Sequence, residues 1–195
     1  MTTAGFHCPS TVISSACTSG TAGSRRTPVA WFRLGISLDR AYPGIVGECA
    51  AAMNAVMPTS KVNVIQRPEE EADDVLSYSK AWPCLLPQHG PGKKHLRRIA
   101  LTGWQRELIE TDPRPLLRGL IHSDGCRHIN TIRHPKRTYR YSRYEFTNLS
   151  DDIRHIFCDA CDVLGVEWRV MNRRTISVAR RSSVAVLDEF IGPKR

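Results

Sequence analysis

The sequence predicts an α+β fold, an imperfect internal duplication of the pattern α-β-β-α-β-β-α around antiparallel strands. Three observations predict it. The second half of the chain alternates between helical and strand periodicity in that full order. The first half repeats the order β-α-β-β-α and lacks the leading helix and strand. Hydrophobic content of 41% and charged content of 24% are those of a globular protein with a core. At 195 residues the chain holds one ordinary domain or two small related halves.

Residues 1–28, rich in Ser, Thr, Gly and Ala, carry no sustained period and read as a flexible N-terminal tail. From Trp31, the residues Phe32, Leu34, Ile36 and Leu38 alternate at period two, the mark of a half-buried strand. Ile45, Val46, Cys49, Met53, Val56 and Met57 form a helical stripe over 43–57, and Pro58 stops that helix. Two strands follow, 61–66 and 75–80, around an acidic turn at 69–74. The Pro- and Gly-rich stretch 82–98 leaves room for one short helix and a loop. A helix over 103–110 closes a partial first half, 29–113.

The second half, 114–195, opens with a helix over 115–123, its Pro115 at the first turn where a missing N–H costs nothing. Strands 127–133 and 138–147 flank the turn His134-Pro135-Lys136-Arg137. Residues 148–152 supply an N-cap and first-turn acids for a helix to Leu164. Strands 166–170 and 175–180 and a helix over 183–191 complete the order.

The formal net charge of +9 favours a polyanionic partner, nucleic acid first. No stretch approaches the apolar length of a membrane span, and the N-terminus lacks the layout of a secretory signal. Seven cysteines at scattered spacings do not form a disulfide framework, so a reducing, cytoplasmic setting is expected. The Cys158-Asp159-Ala160-Cys161 spacing lies inside a helix and has no second pair to complete a zinc set, which assigns it to the core.

The segment Leu117-Arg118-Gly119-Leu120-Ile121-His122-Ser123-Asp124-Gly125 carries the chemistry. Leu117 and Leu120 give the helix an apolar packing surface. Gly119 lets a partner helix approach closely, and Gly125 turns the backbone sharply into the next strand. Asp124 sits at the helix end, beyond that interface. Between Arg127 and Arg143 lie six cations, Arg127, Arg133, Lys136, Arg137, Arg140 and Arg143, with no acid among them. Asn130, Tyr139 and Tyr141 are interleaved. A two-stranded ribbon of this kind enters a major groove, where Arg reads guanine or pairs with phosphate and Asn reads adenine. Trp31, Arg33, Ser37, Asn63 and Arg67, off the apolar strand faces of the first half, are weaker candidates.

Leu117–Gly125, followed by β-β-α-β-β-α with a basic hairpin, resembles the LAGLIDADG (DOD-type) homing endonuclease family, above all its stand-alone actinobacterial members. It departs from the motif at Arg118, His122 and Ser123. The resemblance spans roughly residues 31–193. It implies two motif helices packed at a pseudo-twofold axis, each bringing one acid to the centre of a β saddle that lies on double-stranded DNA. It implies phosphodiester hydrolysis with magnesium at the scissile phosphates, and it assigns Asp124 as catalytic acid and metal ligand. Lys80 stands where the family often places a basic residue near the scissile phosphate, with Arg180 at the equivalent place in the second half.

The first motif is missing where it is expected. Residues 17–28 offer neither an apolar helix nor a carboxylate, and the first acidic residue of the chain is Asp39. The second acid thus has no source within a monomer of two pseudo-twofold halves, and a homodimer would have to supply another Asp124. The alternative function is a catalytically inactive DNA-binding relic or regulator-like protein, although no helix-turn-helix pattern supports a standard regulator.

Overall fold

Alternation along Trp31–Asp39 buries Leu34 and Ile36 and leaves Trp31 and Ser37 outside, as a strand with one covered face must. The computed structural model of the chain describes residues 18–20, 31–89 and 93–195. They divide into two compact units, one running to Thr102 and including Lys194 and Arg195, the other Gly103–Pro193.

In the first unit, β1 (Thr18–Gly20), β2 (Trp31–Asp39), β3 (Val62–Arg67) and β4 (Ala72–Ser79) form one antiparallel sheet in the order β1-β2-β4-β3. Helix α1 (Pro43–Val56) covers one face. Val46, Cys49 and Met53 of α1 pack with Leu34, Ile36, Val75 and Trp82 as the core. The short α2 (Trp82–Leu85) follows β4. Two expectations are corrected here. Thr18–Gly20, assigned to the tail, pairs with Trp31–Arg33, so the first strand of this unit is present in short form. The other residues of the expected tail lie outside the described ones. The acidic turn is also shorter than expected. A 3-10 turn at Pro68–Glu70 and Glu71, at φ 51°, make the reversal. Asp73 and Asp74 belong to β4 and are buried. Burial is tolerated because Arg40 binds Asp73 at 2.9 Å, while Arg67 Nε (2.8 Å) and the Ser37 hydroxyl bind Asp74.

The second unit opens with α3 (Gly103–Thr111) and α4 (Arg114–Asp124). The strands β5 (Gly125–His134), β6 (Arg137–Thr147), β7 (Arg169–Asn172) and β8 (Thr175–Val178) form a sheet in the order β5-β6-β8-β7, the same order as in the first unit. Helix α5 (Asp151–Val163) connects β6 to β7, and α6 (Arg181–Asp188) follows β8. The N-cap of α5 is Ser150, whose hydroxyl accepts from the Ile153 N–H. Phe146 of β6 stacks on Phe157 of α5 with ring centroids 4.6 Å apart, and both rings are fully buried. Cys158 and Cys161 lie in the buried face of α5, as expected of core residues. Burial, with Asp162 and Asp159 nearby, pushes the Cys158 thiol up to about 12, and burial raises Cys161 too. Strand β7 starts at Arg169, three residues later than expected, and α6 at Arg181, two residues earlier.

Among the described residues no helix is long and apolar enough to cross a membrane.

Candidate nucleic-acid interface

Helix α4 buries Leu116, Leu117, Gly119, Leu120 and Ile121 along one apolar face. Asp124 is its last residue. Asn148, in the loop between β6 and α5, donates from Nδ2 to Asp124 Oδ2 at 2.8 Å. Asn148 is itself held twice: its N–H donates to the Arg174 carbonyl at 3.0 Å, and its Oδ1 accepts from the Ser150 N–H at 2.9 Å. A buried amide tied at three points is a rigid support for a carboxylate. The sequence reading placed Asn148 only at the helix cap, because its pairing with Asp124 depends on the β6–α5 loop folding back over α4.

Gly125 takes the chain directly from α4 into β5. Its backbone is extended (φ −117°, ψ 172°), so no left-handed turn ends the helix. Space makes the demand instead. A Cβ here would stand 2.8 Å from Ile121 Cα and Cδ1 and 3.0 Å from the Glu145 carbonyl. Strand β5 leaves the helix too closely for any side chain.

The departures from the motif have partners within the second unit. Arg118 donates to the carbonyls of Phe190 and Ile191, and His122 Nε2 lies 3.5 Å from the Gly192 carbonyl. Ser123 donates to the Leu120 carbonyl at 3.0 Å. Arg118 and His122 therefore hold the segment after α6.

Strand register sorts the basic hairpin. Tyr144 and Phe146 face the core, and Arg127 and Gly125 stand opposite them, so Arg127, Ile129, Thr131 and Arg133 share the helix side with Arg140. Cys126, His128, Asn130 and Ile132 share the open face with Arg137, Tyr139, Tyr141, Arg143 and Glu145. Lys136 is in the turn. The seven residues expected to meet DNA are thus divided: Asn130, Arg137 and Arg143 on the open face, Arg127, Arg133 and Arg140 on the other, Lys136 at the tip.

Two of the cations are already committed. Arg127 makes a two-point ion pair with Asp188 of α6, Nε to Oδ1 at 2.7 Å and Nη2 to Oδ2 at 2.8 Å. Tyr144 donates to the same Oδ1 at 2.6 Å. Arg143, half-buried, donates to Glu145 at 3.2 Å and to the Tyr141 hydroxyl at 3.4 Å. Asn130 donates to the Tyr141 hydroxyl at 2.6 Å. Arg133, Lys136, Arg137 and Arg140 are exposed and have no charged partner among the described residues.

The hydrogen bonds from Arg127 hold Asp188 below its ordinary value of 3.8; partial burial opposes them and Tyr144 adds to them. Burial, then Asp188, raises Tyr144. A carboxyl lowered on folding stabilises the native state above its unfolded pKa, and that contribution is lost as pH falls through the lowered native value. Asp188→Asn should therefore lower the urea midpoint at neutral pH. The two proteins' midpoints should converge in acid, below about pH 4; a constant offset across that range would contradict the assignment.

In the first unit Trp31, Arg33 and Ser37 of β2 and Asn63 and Arg67 of β3 lie on the sheet face away from α1. Arg67 is occupied by Asp74 and Glu70, and Ser37 by Asp74. Lys80 is exposed, with Nζ 5.4 Å from the Trp31 ring centroid. Arg180 pairs with Glu167.

No protein-family model and no curated protein matches the sequence. Solved structures do match the fold. The chain is similar to the LAGLIDADG homing endonuclease I-LtrWI bound to target DNA, with a TM-score of 0.59, 7% identity, and 96% of this chain and 83% of that one covered. It is similar to the LAGLIDADG meganuclease I-AabMI bound to uncleaved DNA (TM-score 0.55, 10% identity, 95% and 82% covered). It is also similar to I-DmoI in complex with DNA and Ca (TM-score 0.54, 12% identity, 94% and 86% covered). At these identities the likeness is one of fold. Two four-stranded antiparallel sheets of the same order, with an acid-ended helix leading into the second, give this chain the fold of the LAGLIDADG homing endonucleases.

Proposed function

We propose that this protein binds double-stranded DNA through the open faces of its sheets, as a LAGLIDADG-like DNA-binding protein. The observation that carries the reading is the β5–β6 ribbon. Its open face presents Asn130, Arg137, Tyr139 and Tyr141, and its tip carries Lys136. The formal net charge of +9 supplies the long-range attraction, and the neighbours of this fold were solved on DNA. Phosphate neutralisation by several cations must give a linear dependence of log affinity on log salt. Binding to duplex DNA with no salt slope would sink the proposal.

A second reading is favoured by Asp124. A carboxylate at the helix end, anchored by Asn148, supplies one ligand for a divalent cation such as Mg2+, which takes one or two carboxylates and completes its shell with water and phosphate oxygens. Such an ion, when bound, polarises a phosphoryl oxygen and makes hydroxide from water near neutral pH. I-DmoI has been solved with DNA and Ca and with DNA and Mn. Among the described residues no group of three metal-binding side chains includes Asp124. Binding is the primary activity on this reading, and hydrolysis depends on Asp124. Plasmid nicking in magnesium should disappear in Asp124→Asn while binding persists. Nicking that survives the substitution would remove Asp124 from the reaction, and absence of nicking in both proteins would leave the binding function alone.

A further inference from the structure

Cys126 and His128 are two residues apart on β5 and so share its open face, and Glu145 of β6 stands directly opposite Cys126. Cys126 Sγ lies 3.7 Å from His128 Nδ1, and His128 Nε2 lies 3.6 Å from Glu145 Oε1. One ligand atom from each of the three residues falls within 4.8 Å of the others. We propose that Cys126, His128 and Glu145 form a binding site for one zinc-class divalent cation, separate from Asp124.

The donor set decides the class of ion. Sulfur, imidazole nitrogen and carboxylate oxygen together suit borderline-soft Zn2+ or Co2+, whereas Mg2+ and Ca2+ select oxygen throughout. The geometry is close to what the ion needs. Bonds of about 2.0–2.3 Å at tetrahedral angles place neighbouring ligand atoms roughly 3.3–3.7 Å apart. The ladder fixes the three backbone positions, and rotation of the side chains is the freedom through which the set, within 4.8 Å at the start, would close on an ion. Three protein ligands leave the fourth position for water or an incoming anion, and it opens on the exposed side of the sheet. Access is direct, since Cys126 is exposed and His128 and Glu145 are partly so. Arg143, donating to Glu145 Oε1 at 3.2 Å, orients the carboxylate from outside, in the way outer partners of metal ligands do. On binding, the Cys126 S–H bond breaks as the sulfur–metal bond forms, and the proton passes to solvent. Thiolate and carboxylate together then balance the charge of the dication. The sequence hides this set because Glu145 is brought to Cys126 only by the hairpin register.

The test uses the full chain, kept reduced, titrated with Co2+ in the absence of DNA, so that its outcome is independent of any nucleic-acid binding. One equivalent should produce visible d–d bands and a near-ultraviolet thiolate-to-cobalt band. Zn2+ should bleach both bands, and excess Mg2+ should leave them. Cys126→Ser should abolish the thiolate band, and His128→Ala and Glu145→Gln should each weaken cobalt binding at least tenfold. Cys84→Ser, at an exposed cysteine elsewhere, should change nothing. Circular dichroism checks the fold of each variant, and the three ligand substitutions give independent readings should one of them fail to fold. No thiolate band in the wild-type protein, or a band that persists in Cys126→Ser, would overturn the site.

Discussion

Replacing Phe146 by alanine is expected to unfold the second unit at temperatures the native protein tolerates. Phe146 is fully buried and stacked on Phe157, at the place where the central strand β6 meets α5. Truncating a buried Phe removes its transfer free energy and leaves a cavity, at a cost of about 3–5 kcal/mol. A domain's whole stability is about 5–15 kcal/mol. For a unit of this size, roughly 4–8 °C of melting temperature accompany each kcal/mol, so a fall of about 12–40 °C is expected. Phe146→Leu keeps most of the volume and should cost less than half as much. Loss of the near-ultraviolet dichroism of the stacked rings, followed against temperature, measures both. Equal melting temperatures for Phe146→Ala and the native protein would show that the stack does not hold the core.

The second large effect concerns DNA. Lys136→Ala/Arg137→Ala removes two exposed cations, one at the ribbon tip and one on the open face. If each meets a phosphate, the slope of log affinity against log salt should fall by about 0.9 for each, near 1.8 together. At physiological salt this amounts to a loss on the order of 30-fold. Arg133→Ala/Arg140→Ala removes the same charge from the opposite face and should leave the slope nearly intact. Fluorescence anisotropy with a duplex at several salt concentrations separates the two. Equal losses from both pairs would mean that charge alone, and not the open face, binds the duplex.

Period was the strongest signal in the sequence, and it served best where one face is covered. The alternation in Trp31–Asp39 and the stripe of α1 read directly because Leu34, Ile36, Val46, Cys49 and Met53 meet in one core. It failed at Asp73 and Asp74, since charged residues are rarely buried and these became so only through Arg40, Ser37 and Arg67. It missed Thr18–Gly20, three residues whose strand conformation comes from pairing with β2 rather than from their own propensity. Asp124, as the last residue of a helix, was legible because a local motif frames it. Its support from Asn148 was not, and neither was the pairing of Arg127 with Asp188, 61 residues away. Composition counts charges, and only the fold decides which of them are already neutralised.

The β5–β6 ribbon outruns its sheet. β8 pairs with β6 only over Tyr144–Thr147, so among the described residues the seven pairs from His128↔Arg143 to His134↔Arg137 have no third strand beside them. A two-stranded ribbon in water is marginally stable by itself. Its amides open locally at little free-energy cost, while those of Tyr144 and Phe146 open only with the whole unit. Hydrogen exchange should therefore show a steep gradient along one hairpin, fast from the tip to about Arg143 and slow beyond it. The tip is then an adaptable arm mounted on a rigid base. Whatever binds it spends part of its affinity on ordering the arm, and in return meets a surface that can follow its contour.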